Sequence, residues 1–177
     1  RNNTHKGSFG SAGILGGSES MVGAAFLAAR AALKLGAGRV YLGMLDPAAP
    51  AVDPLLPEIM IRRAEALFQA DLQALACGPG LGQSPAALRL LEQSIKAPIQ
   101  LVLDADAITS FADNPVELLD TLHDQVVLTP HEGEFARLFP AIELADRLTA
   151  ARLAAELSGA VILLKGPETV VAAPDGR

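Results

Sequence analysis

Residues 11–45 read SAGILGGSESMVGAAFLAARAALKLGAGRVYLGML, and this stretch decides the fold. Ser11 to Leu15 is a short apolar run bounded by glycines. From Ser20 to Leu35 the apolar residues then recur at helical spacing, through Met21, Ala24, Ala25, Ala28, Ala31, Ala32 and Leu35. Ser20 is the expected N-cap of that helix and Gly36 the residue just past its end. Arg39 to Leu45 reads as a second strand. Strand, helix and strand in this order are the unit from which mostly parallel sheets with flanking helices are built.

Outward from this unit the alternation continues. Further strands are expected at Ile59 to Ile61, Leu75 to Cys77, Ile99 to Leu103, Val126 to Thr129 and Val161 to Lys165. Ser84 and Pro85 supply an N-cap and first turn for a helix running to about Ser94, and Asp146 opens another that ends at Gly159. Thr169 to Ala173 reads as a last strand. Pro174, Asp175 and Gly176 after it are the residues of a chain reversal, yet no partner strand follows before Arg177. The expectation is therefore one α/β domain over residues 1–177, cut within a supersecondary unit.

Composition bounds what such a domain can do. At 177 residues the chain has the length of one domain, and a chain of this size buries roughly 70% of its unfolded surface. Half of the residues are hydrophobic, 19% are charged and the mean hydropathy is +0.33, which argues against disorder. No apolar run approaches the length of a membrane span, so no membrane partner is expected. The net charge of −6 lacks the basic footprint that a phosphate backbone requires, so neither is a nucleic acid. The single cysteine, Cys77, cannot form a disulfide within the chain, and Arg1 to Lys6 is not followed by the apolar segment of a secretory signal. Both fit a cytoplasmic location.

Four expected strand ends carry glycine or ionisable groups, and a further glycine-rich run stands ahead of the first helix. The run Lys6, Gly7, Ser8, Phe9, Gly10, Ser11, Ala12, Gly13, continued by Gly16, Gly17 and Ser18, precedes the first helix. It is either an anion cradle beside a helix N-terminus or a turn-rich entry to a small-residue helix. Cys77, Gly78, Pro79, Gly80, Leu81 and Gly82 stand between strand and helix, where open α/β sheets bind ligands. The dinucleotide fingerprint would need a third glycine at Gln83, and no Walker-type phosphate loop occurs. Asp104 and Asp106 close the run Leu101 to Leu103. They can take a proton or hold Mg²⁺ through water, and Asp106 can equally be a helix N-cap. Thr129, Pro130, His131, Glu132, Gly133 and Glu134 follow the next strand, which makes His131 a better site candidate than His5 or His123. Glu132 or Glu134 can also merely cap a helix. Lys165 and Gly166 end a further strand, and a lysine there can meet a phosphate or simply mark the boundary. In a parallel sheet these ends share one edge, and that convergence favours an enzyme.

Taken in order, the blocks KGSFGSAGILGGSESMVGAA (6–25), AALKLGAGRV (31–40), CGPGLG (77–82), LDADAI (103–108), LTPHEGEFARL (128–138) and LLKGPETVV (163–171) resemble the ADP/ATP-dependent NAD(P)H-hydrate dehydratases of the ribokinase-like superfamily. The resemblance implies a ribokinase-like αβα sandwich with a mostly parallel central sheet. It also implies a repair lyase that returns NADHX or NADPHX, hydrated at C6 of the nicotinamide ring, to NADH or NADPH with ADP or ATP as co-substrate. By resemblance Ala24, Gly80 and His131 border the hydrated dinucleotide. Lys165, Gly166, Pro167, Glu168 and Thr169 hold the adenine nucleotide, and Asp104 and Glu134 organise Mg²⁺. The family's catalytic Asp lies in a glycine-rich GTGGSGD-like segment with no counterpart before Arg177. Homotetramers are the family's common assembly. The competing expectation is a small-molecule kinase of the same superfamily, from which the LTPHEGE block with His131 departs; a third is a nucleotide-binding module without turnover.

Overall fold

A computed structural model describes residues 9–177; Lys6, Gly7 and Ser8 of the first glycine run, and His5, lie outside the described residues. The chain divides into two compact units, the first reaching Gln100 and the second spanning Leu101–Arg177.

The first unit holds strands β1 (Ser11–Gly16), β2 (Arg39–Met44), β3 (Met60–Arg63) and β4 (Ala74–Cys77), in the spatial order β3-β2-β1-β4. Every pairing among them is parallel, with Ser11 opposite Arg39, Ala12 opposite Ala74 and Tyr41 opposite Met60. Helix α1 (Val22–Lys34) packs on one face, where Ala25, Phe26 and Ala29 meet Ile14, Val40, Leu42 and Met44. The alternate residue Gly43 faces the other way, onto Leu67 of a 3₁₀ segment, Ala64–Gln69. Helix α2 (Pro85–Ile95) packs beside β4.

Two expectations for α1 need correction. Of the expected stripe, Ala25 is buried and Ala28 and Ala32 pack against the core, but the buried face turns toward Phe26 and Ala29, while Met21, Ala24 and Ala31 are exposed and Leu35 is 89% exposed. Nearly every position of this helix is apolar, so spacing alone could not fix its rotation. The N-cap is Met21, without a side-chain hydrogen bond, and Ser20 takes a left-handed φ of 65° in the turn before it. At the other end Gly36 behaves as expected. Its amide donates to Leu33 O and that of Ala37 to Ala32 O, which is the Schellman pattern.

A buried ion pair braces the same unit. Asp53 is fully buried and receives Arg30 Nε at 2.7 Å and Nη2 at 2.9 Å, while the guanidinium lies over the Phe26 ring. Hydrogen bonding from Arg30 holds the Asp53 carboxyl down at about 2. Cys77 at the end of β4 is buried, and desolvation pushes its thiol up to about 12.

The second unit holds β5 (Gln100–Leu103), β6 (Val126–Leu128), β7 (Val161–Leu164) and β8 (Val170–Ala172), in the order β5-β6-β7-β8. The pairs β5–β6 and β6–β7 are parallel and β7–β8 is antiparallel. The expected last strand therefore has a partner, in β7. The reversal after it forms as read: Gly176, at φ 89°, donates to Ala173 O, and Ala173 N donates to Arg177 O. The connecting helices are α3 (Asp106–Thr109), α4 (Pro115–Leu119), α5 (Glu132–Leu138) and α6 (Arg147–Ser158). Asp106 is the first residue inside α3 and not its cap; Ala105 holds that position, with φ 48° and ψ −118°. Helix α6 packs on β7 and β8, capped by the Asp146 carboxylate and closed by Gly159 in left-handed conformation. No helix among the described residues is long and apolar enough to cross a membrane.

Candidate functional site

In the first unit two glycine loops lie backbone against backbone. Gly17 N donates to Pro79 O at 3.1 Å and Ser18 N to Gly80 O at 2.7 Å. A Cβ on Gly16 would stand 2.1 Å from Pro79 O, and one on Gly80, whose φ is 61°, would stand 2.5 Å from Met21 O. The glycines that opened two readings from the sequence thus serve the close approach of these loops. Met21 O also accepts from Ala24 N at 3.2 Å, so Gly80 and Ala24 meet at one carbonyl at the start of α1.

In the second unit the strand ends are tied to one another in turn. Thr129 N donates to Leu103 O, and Lys165 N to Pro130 O, which sets the residues after β5, β6 and β7 side by side. Lys165 Nζ reaches Asp104 Oδ1 at 2.6 Å and Glu134 Oε2 at 4.0 Å. Glu134 is buried at the start of α5, and its carboxylate also accepts the His131 backbone N–H at 2.8 Å.

His131 is the N-cap of α5. Its Nδ1 accepts from Gly133 N at 3.0 Å and Glu134 N at 3.3 Å, closing a reciprocal capping box with Glu134. An Nδ1 that accepts two amides leaves the proton of the neutral ring on Nε2, which stands 3.5 Å from Glu134 Oε1. The imidazole itself is 56% exposed, open to a ligand on its outer side. The capping role expected of Glu132 or Glu134 thus falls on His131, with Glu134 reciprocating. The spacing His131-x-x-Glu134 before an apolar run was the available signal, with His standing where Ser or Thr is usual.

Lys165, Gly166, Pro167, Glu168 and Thr169 form the link between β7 and β8, and from Gly166 to Thr169 it is exposed. No local pattern in the sequence marks Arg147, the first residue of α6. Its guanidinium donates to Leu164 O at 3.3 Å, Lys165 O at 3.0 Å and Glu168 O at 3.3 Å, and pairs with Glu132.

Chemically, Lys165 fills the position between two carboxylates. Among the described residues no group of three or more His, Cys, Asp or Glu could hold a metal. The donor set fits a Mg²⁺ that arrives on phosphates and keeps its waters, needing one or two carboxylates, and not one caged by protein.

Mostly parallel α/β units with glycine and ionisable groups at their strand ends define the class, and a ribokinase-like superfamily protein from Enterococcus faecalis has this fold, with a TM-score of 0.79 at 24% identity over 98% of this chain and 63% of that one. The family model described as NAD(P)H-hydrate dehydratase matches residues 12–177. The bifunctional NAD(P)H-hydrate repair enzyme Nnr of Gloeobacter violaceus is 44% identical over 98% of this chain. A crystal structure of ADP/ATP-dependent NAD(P)H-hydrate dehydratase from Bacillus subtilis, co-crystallised with ATP/Mg²⁺, superposes with a TM-score of 0.82 at 34% identity over 99% of this chain. The chain belongs to the NAD(P)H-hydrate dehydratase family. It spans 36% of the Gloeobacter relative and 65% of the Bacillus chain.

Proposed function

We propose that the protein to which this chain belongs dehydrates NADHX and NADPHX to NADH and NADPH, with ADP or ATP as phosphate donor. The observation that supports this reading best is the cluster at the strand ends of the second unit. Lys165 stands between Asp104 and Glu134, beside the exposed imidazole of His131 and at the head of the Gly166 to Thr169 link.

In the chemistry we infer, the C6 hydroxyl oxygen attacks the terminal phosphorus of the nucleotide and gives up its proton. The bond from that phosphorus to the bridging oxygen breaks and releases the shortened nucleotide. The C6–O bond then breaks with phosphate as leaving group, pushed by the ring nitrogen lone pair, and loss of a C5 proton restores the dihydronicotinamide. Such a transfer needs positioning and charge neutralisation more than covalent catalysis.

The roles are those that the resemblance implies, and the groups present suit them. Lys165 and the link to Thr169, with Pro167 and Glu168, meet the nucleotide's phosphates. Asp104 and Glu134 keep the ammonium aimed and would hold Mg²⁺, which when bound neutralises phosphate charge. The outer side of His131, and in the first unit Ala24 and Gly80, are assigned to the hydrated dinucleotide. A cytoplasmic location and a homotetramer are part of the same proposal and rest on the resemblance alone.

The test is reduced-nicotinamide absorbance when the full-length protein meets NADHX, Mg²⁺ and ADP, with ATP in parallel. Recovery with either nucleotide is expected. Phosphorylation of a simple alcohol without recovery would replace this reading by the kinase one, and nucleotide binding without any turnover by the binding-module one.

A further inference from the structure

Arg147 has no assigned role, yet the link between β7 and β8 is built around it. Its guanidinium accepts no proton and offers five donors in a rigid fork. Four contacts use that fork: Leu164 O, Lys165 O, Glu168 O and the Glu132 carboxylate. Gly166 lies flat against it, since a Cβ there would stand 2.4 Å from Nη2, 2.8 Å from Cζ and 3.1 Å from Nη1.

The orientation of these carbonyls has a consequence for the amides. The described peptide bonds are all trans, and in a trans peptide the N–H points opposite to the preceding C=O. Carbonyls of Leu164, Lys165 and Glu168 that turn toward Arg147 therefore turn the amides of Lys165, Gly166 and Thr169 away from it. Lys165 N is taken by Pro130 O. The Gly166 and Thr169 amides each point away from the guanidinium, on the stretch that carries the Lys165 side chain.

We propose that Arg147 is the positioning residue of the nucleotide's phosphate cradle. It gathers inward the carbonyl oxygens that would repel an anion and so presents the Gly166 and Thr169 amides to it. This rests on the nucleotide reading of the link. Arg147 does not itself touch the phosphates; Glu132, on the neighbouring α5, holds the guanidinium from its far side.

The experiment is calorimetric titration of the full-length protein with ADP and, separately, with NADPHX, alongside amide exchange of residues 164–169. Arg147→Ala is expected to weaken ADP binding about tenfold or more, the loss that about 1.4 kcal/mol represents, and to leave NADPHX affinity within about twofold. The slowing of exchange at Gly166 and Thr169 that ADP brings to the wild type should be lost. Arg147→Lys should not rescue ADP binding, because a point charge cannot span three carbonyls and a carboxylate. If Arg147→Ala folds poorly, Gly166→Ala displaces the guanidinium from the opposite side and should give the same split between ligands. ADP affinity unchanged in Arg147→Ala, or equal losses for both ligands, overturns the proposal. Wild-type protein that binds no ADP overturns the nucleotide reading as well, which separates the two failures.

Discussion

His131 does two jobs with two sides of one ring, and substitution can separate them. Nδ1 caps α5, while the outer side is open. His131→Ala should cost about 1 kcal/mol of stability through the lost cap. It should also weaken NADPHX binding well beyond any effect on ADP. Asparagine caps helices well, so His131→Asn should restore the denaturation midpoint and leave NADPHX binding weak. Recovery of both would reduce His131 to a cap. At this scale the sequence was legible where a side chain's chemistry is rare for its place. Asp104, His131 and Lys165 stood out at strand ends, and the structure brings them together. Arg147 did not stand out, because an arginine beginning a surface helix is ordinary. Its role comes from carbonyls 17 to 21 residues away in sequence, which no local pattern encodes.

Among the elements, strands and caps were the readable part. Ser84 accepts from Ala87 N and Asp146 from Leu148 N and Thr149 N, as the capping rules expect, because a cap is decided within four residues. The phase of α1 was not readable, since alanines fill both of its faces and burial alone distinguishes them. Nor was the pairing of the two glycine loops, which joins residues after β1 to residues after β4. That pairing predicts a large effect from a small change. Gly16→Ala places a methyl 2.1 Å from Pro79 O, a backbone atom that cannot swing aside, and should cost about 1–3 kcal/mol. Urea denaturation followed by circular dichroism should show a lower midpoint with an unchanged slope; an unshifted midpoint would mean that the loops separate easily.

For the molecule as a whole, the buried Arg30–Asp53 pair sets an acid limit. The Asp53 carboxyl lies at about 2 in the folded state against an ordinary 3.8, so between these values the unfolded chain binds more protons than the folded one. The pair's contribution is complete above about pH 4 and disappears as pH falls through about 2. Thermal midpoints measured by circular dichroism should therefore fall over that window, and fall less in Asp53→Asn. Asp146 and Asp175 are lowered too, so it is the difference between the two proteins that carries the test; parallel curves would show that the pair contributes nothing.

The zipped loops also impose an order in time. Gly17 and Ser18 leave the ribosome well before Pro79 and Gly80, yet their amides have those two carbonyls as partners. The turn after β1 therefore has to wait, its donors satisfied only by water, until β4 has been synthesised and laid beside β1. Contacts so distant in sequence are among the slow ones to close. During synthesis this corner of the first unit is the part that cannot be finished early.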